Sequence, residues 1–190
     1  MPMMMTHTLR ASRILLVVSA LVAAPAVSAQ RPSTAIADSA RQLLAPLTWM
    51  MGEWSGEAKV INGAQQFAMT QHESVVAAAS GTVLLIQGRG TMPGANGVGV
   101  RTVFESAGLL SFDMASRQFK WVASGGTGYV GISDAQVTRD TLVWFTSDAL
   151  GARVRYTISR GASGEWREIG ETSNDGMTWR RTFEMTLVKQ

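Results

Sequence analysis

The chain has 190 residues, with 19 glycines, 5 prolines and no cysteine, which rules out a disulfide framework, a thiolate metal site and a lipid-modified cysteine. Its pI near 9.8 invites a polyanion partner. Two of the 17 basic side chains, Arg10 and Arg13, belong to a leader, however; the remaining 15 stand against 14 acids, a net charge of +1 with no basic stripe, so no nucleic-acid partner is expected.

Residues 1–29 have the form of a secretory signal peptide. Arg10 and Arg13 make a positive n-region, 14–24 an apolar run, and Val27-Ser28-Ala29 a small-residue cleavage site. The run is shorter than the roughly 20 residues that cross a bilayer, which argues against a retained membrane anchor and for a periplasmic or secreted protein. Residues 30–46 are polar and small and are expected to be mobile, with one helical turn over 39–44 before Pro46 interrupts it. One domain is expected over 47–190, long enough to bury a sizeable core. Trp49 and Met50 read as a plug closing one end, and Trp54 as the first inward residue above it.

From Trp54 onward, short alternating runs are separated by Gly, Asn, Asp and Ser. The pattern predicts strands over 54–61, 67–76, 82–90, 98–105, 109–114, 119–123, 129–133, 142–147, 154–159, 166–172 and 179–188, of which some merge to leave about ten. Turns are expected at Asn62-Gly63, Ser80-Gly81, Ala107-Gly108, Ala115-Ser116, Arg139-Asp140, Leu150-Gly151, 161–164 and Asp175-Gly176. A meander of this length exposes two edges unless it closes, so the expected fold is an all-β, closed up-and-down antiparallel barrel with a short N-terminal helical plug.

The last hairpin yields the candidate site. A two-residue turn at Asp175-Gly176 sets Glu171 opposite Arg180 and Arg167 opposite Glu184 on the solvent face. The inner face then carries Trp166, Glu168, Gly170 and Thr172 beside Trp179, Arg181, Phe183, Met185 and Leu187, with Gly170 leaving room for the Arg181 guanidinium. An inward arginine needs a partner, and Glu168 is the expected one. Either the two form an internal salt bridge without a ligand, or Arg181 anchors an anionic head group that Glu168 and Tyr156 orient. In the strand over 67–76, the bulky Phe67, Met69 and Val75 share a face with Gln71 and Glu73, which are therefore expected inside.

Other chemistries find little support. His72 is the one histidine beyond the leader and has no companion soft ligand, so neither a metal nor a cofactor is expected. G-x-S-x-G is absent. Glu165, Glu168 and Glu171 alternate in facing, although a cross-barrel pair of Glu73 with Glu168 stays open as an acid–base site. The glycine-rich run 88–97 lacks the Lys-Ser/Thr of a phosphate loop and reads as a long hairpin loop. The tryptophans read as core and plug more readily than as ligand platforms.

The W-x-x-G-x-W opening at Trp49–Trp54, Ser111-Phe112-Asp113-Met114 with Lys120-Trp121, and Gly170-Glu171-Thr172-Ser173 running on to Phe183-Glu184-Met185 together resemble a bacterial group of lipocalin-like domains of unknown function. More distantly the chain is similar to lipocalins, fatty-acid-binding proteins and nitrobindin-like barrels. The resemblance implies a calycin-type barrel and carries no catalytic residue over. In lipocalins the tryptophan of Gly-x-Trp packs against an arginine near the end of the barrel. Here strand arithmetic puts Trp54 near 185–187 and leaves Arg181 toward the other end. Nitrobindin-like barrels ligate haem through a late histidine, and none follows His72. The expected function is an exported, non-enzymatic barrel binding a small apolar or amphipathic molecule with an anionic group, through Arg181, Glu168, Gln71, Glu73, Tyr156, Trp179 and Trp166. The alternatives are an enzyme or isomerase using Glu73 or Glu168 as base on a hydrophobic substrate, and a filled-core structural or interaction domain.

Overall fold

In a computed structural model, which describes residues 34–190 except Thr127, Tyr129 and Ala149, the alternating runs form ten antiparallel strands. They are β1 (Gly52–Asn62), β2 (Gln65–Ala78), β3 (Val83–Pro93), β4 (Val100–Asp113), β5 (Gln118–Gly125), β6 (Val130–Thr138), β7 (Thr141–Ser147), β8 (Arg153–Arg160), β9 (Trp166–Ser173) and β10 (Arg180–Lys189). Each pairs with its neighbours in sequence, and β1 pairs with β10, so the meander closes as expected and leaves no edge strand. The leader expected over 1–29 lies outside the described residues, as does Tyr129, the expected start of β6.

Two expectations about glycine change. The turn at Ala107-Gly108 does not exist: β4 runs straight through it, which merges two of the eleven expected strands. Gly108 serves packing instead, since a Cβ there would lie 3.2 Å from the Trp121 ring. Likewise β3 continues to Pro93, so the loop expected over 88–97 shrinks to 94–99. Gly88 leaves a notch filled by Glu73 and Ser106, and Gly90 one filled by Met69, Gln71 and Phe104.

One end of the barrel is closed by the segment that precedes it. Helix α1 (Thr34–Leu44) is longer than the single turn expected, and it leads into a 3₁₀ segment, Ala45–Met50, with Pro46 near its start, where the missing N–H costs nothing. Leu44, Leu47 and Met50 are fully buried in the main core. Above them Trp49, Trp54 and Trp166 meet edge to face in a triangle with centroids 5.8–5.9 Å apart, and the Trp54 indole donates to the Met50 carbonyl at 2.7 Å. This is the plug the sequence predicts, and it is the floor of whatever lies above.

The β1–β10 seam is tight. Trp54 lies opposite Lys189 rather than 185–187, and Gly56 opposite Leu187. A Cβ on Gly56 would fall 2.1 Å from the Thr186 carbonyl oxygen and 2.9 Å from the Leu187 Cα, backbone that cannot swing aside. Gly56→Val is therefore expected to cost roughly 3 kcal/mol in urea unfolding by forcing the seam apart. A variant as stable as the wild type would show that the strands have slack there.

Candidate functional site

Above the tryptophan floor the barrel holds a cavity of about 550 Å³. It reaches toward the loop end, where Thr146, Asp148 and Gly125 line its rim. Six aromatic residues among those described line it: Phe104 from β4, Trp121 from β5, Trp144 from β7, Tyr156 from β8, Trp166 from β9 at the floor, and Phe183 from β10. Trp121 stacks on Trp144 at 5.1 Å and Trp144 on Tyr156 at 4.4 Å; Tyr156 then meets Phe183 edge-on at 6.2 Å. β9 lies between the last two rings, and they touch because it contributes only Gly170, which pairs with both Tyr156 and Phe183. A Cβ at Gly170 would sit 2.8 Å from each side chain. That glycine makes room for rings rather than for the guanidinium expected beside it.

The opposite part of the wall is polar. Gln71 and Glu73 point inward as expected, both buried, and the Gln71 amide donates to Glu73 Oε1 at 2.7 Å. Its own Oε1 is buried with no protein partner. Glu168 enters from β9 and is half-buried, its accessible surface bordering the cavity. Burial, partly offset by the Gln71 hydrogen bond, pushes the Glu73 carboxyl up to about 7. Burial and then the charge of Glu73 push Glu168 up to about 8. The two carboxyls therefore titrate as a pair, and like-charge repulsion holds back the second proton to leave. The Trp166 indole N–H favours the ionised form of Glu168 by its direction but closes no hydrogen bond, since Nε1 has no partner within bonding geometry. Burial, then the nearby Glu168, raises the Tyr156 phenol to about 12, so it stays a neutral donor. The Trp121 and Trp144 indole nitrogens are also buried without a protein partner.

Arg181 and Trp179 do not join this group. The loop after β9 runs over 174–179 and is wrapped around Asp175, which accepts from the Met177 and Thr178 amides and from the Ser173 hydroxyl at 2.7–3.0 Å. Those bonds hold its carboxyl down at about 2. The two-residue turn is thereby lost, and a bulge at Thr182 breaks the parity of β10: Arg181 pairs with Glu171 and Phe183 with Gly170. Phe183, Met185 and Leu187 keep the inward face, Thr182 turns to the cavity, and Arg181 is sent outside. It is half exposed and 3.5 Å from Glu184, not paired with Glu168. Trp179 also lies outside, under the Arg155 guanidinium at 4.3 Å. The two charge pairs expected on that face are replaced by Arg155 with Glu171 at 2.7 Å and Arg167 with Glu165 at 2.6 Å.

The site thus brings together Glu168, Gln71, Glu73, Tyr156 and Trp166 and leaves out Arg181 and Trp179. Sequence reasoning missed Trp121 and Trp144, which treating tryptophans as plug concealed; the alternation of Trp144 with inward Leu142 was the available signal. Among the described residues, no lysine, arginine or histidine lines the cavity.

No protein-family model matches the chain, and no curated protein does. Among solved structures it is similar to the crystal structure of Rv2717c from M. tuberculosis, with 14% identity and a TM-score of 0.53 over 78% of this chain and 96% of that one. At that identity the likeness concerns the barrel fold alone.

Proposed function

We propose that the protein is an exported barrel that binds a small apolar or amphipathic molecule in its interior. The observation that carries this reading is a 550 Å³ cavity with a stacked aromatic wall and convergent polar groups that lack protein partners. Export rests on the leader-like residues 1–29. The anionic group expected on the ligand loses its support, because its anchor Arg181 faces solvent. A lipocalin-like relationship is supported by Trp54 at the floor and by the Lys189 ammonium 5.4 Å over its ring, a cation in the role that an arginine has in lipocalins. Native mass spectrometry of protein purified from its own compartment, before and after mild organic extraction, tests the reading. A co-purified small molecule lost on extraction is expected; the mass of the bare chain in both samples would count decisively against it.

A second reading, an enzyme or isomerase acting by proton transfer on a hydrophobic substrate, is favoured by one observation: two carboxyls held near 7 and 8 face open volume. It uses the same cavity and differs only in whether the bound molecule leaves changed.

A further inference from the structure

The polar end of the cavity has an asymmetry of sign. Glu73, Glu168 and the free Gln71 Oε1 are acceptors, and Glu73 shares the Gly88 notch with the Ser106 hydroxyl. Around them the charged and titratable groups in the wall are Glu73 and Glu168 themselves, Tyr156, and Asp148 at the rim; none of these is a cation. Negative charge that develops there meets no counter-charge among the described residues that line the cavity, which is the condition burial penalises most.

We propose that the molecule bound in this cavity is a lipophilic organic cation, a protonated amine with an aromatic or alicyclic body. The inference rests on the small-molecule-binding reading above and specifies its ligand class. A primary ammonium has three N–H donors and no acceptor, which suits a polar end lined by the Glu73 and Glu168 carboxyls. Gln71 is 1% exposed, and its Oε1, which faces the Gly90 notch, has no protein partner. The body of the ligand lies against the Trp121–Trp144–Tyr156 stack, whose π-faces also attract positive charge. A carboxylate ligand in the same place would add a third negative group to two that already repel each other.

Binding is coupled to protons. In the empty cavity near neutral pH the pair retains at least part of its proton complement; the incoming cation favours the ionised carboxylates and releases protons to solvent. Affinity therefore falls as the solution is acidified and both carboxyls become neutral.

Titration calorimetry with three isosteric probes, 2-naphthylmethylamine, 2-naphthylmethanol and 2-naphthoate, tests the assignment. At pH 8 the amine is expected to bind at least ~tenfold more tightly than the alcohol, with the naphthoate weakest. Acidification to pH 5.5 should weaken the amine by a similar factor and leave the alcohol unchanged. In the double variant Glu73→Gln, Glu168→Gln the advantage of the amine should vanish while the alcohol still binds, which also reports that the barrel is folded. Alcohol or naphthoate binding as tightly as the amine, or an amine preference that survives in the double variant, would overturn the cation assignment and leave the small-molecule reading standing. Absence of binding by all three would overturn this assignment, and a bare-chain mass in the extraction experiment would remove the broader reading with it.

Discussion

Trp166→Ala should lower the unfolding free energy by roughly 4 kcal/mol, read as a shift of the urea midpoint at unchanged slope. Trp166 is 1% exposed and touches both Trp49 and Trp54, so its removal takes two edge-to-face contacts and leaves a hole between plug and cavity. The plug cannot collapse into that hole, because Leu47 and Met50 are themselves fully buried and pinned by the bond from Trp54 to the Met50 carbonyl. Trp166→Phe should recover about half of the loss. If the alanine variant loses less than about 1 kcal/mol, the triangle is not what holds the floor.

Stability should fall as the pH rises from about 5 to 8, the reverse of the usual acid-labile behaviour. Glu73 and Glu168 ordinarily titrate near 4.5 and are raised to about 7 and about 8 in the fold. Between those values the native protein holds protons that the unfolded chain has released. The stabilisation is therefore complete below the unfolded value and disappears as pH climbs through the folded ones. With water in the cavity softening the penalty, a loss of roughly 3–5 kcal/mol is expected across that window. The Glu73→Gln, Glu168→Gln variant, which keeps the shape and removes the charge, should flatten the profile and melt higher than the wild type at pH 8. Thermal melts at pH 5, 6.5 and 8 decide it: parallel profiles for the two proteins would show that these carboxyls are solvated as ordinary surface groups.

Strand alternation carried most of the architecture. Closure and the inward facing of Gln71 and Glu73 follow from period-two patterning, which one buried face fixes strongly. Glycine was the ambiguous residue. At positions 88, 90, 108 and 170 it stands inside a strand where another side chain crosses its Cβ position, and such a partner lies far away in sequence. The facing of Arg181 failed for a different reason. Asp175-Gly176 has the composition of a tight turn, but the amides of Met177 and Thr178 turn back to Asp175 and lengthen the loop. One bulge at Thr182 then reverses the facing of the residues between it and the loop, while Phe183, Met185 and Leu187 keep theirs. Parity arguments are sound only between irregularities, and those are set by local hydrogen bonds that residue type alone underdetermines.

The seam between β1 and β10 also has a kinetic meaning. It joins residues as far apart as Trp54 and Lys189, so the ring closes through a loop that contains almost the whole domain. Every other strand pair is a local hairpin that can zip from its turn. Until β10 meets β1, the ten strands are an open ribbon with two bare edges and an uncovered aromatic wall, and the entropy of that closure must be met before the seam repays it. The Gly56 contact with the Thr186 carbonyl belongs to that final step. On this topology the joint held close by Gly56 is expected to be the last one made.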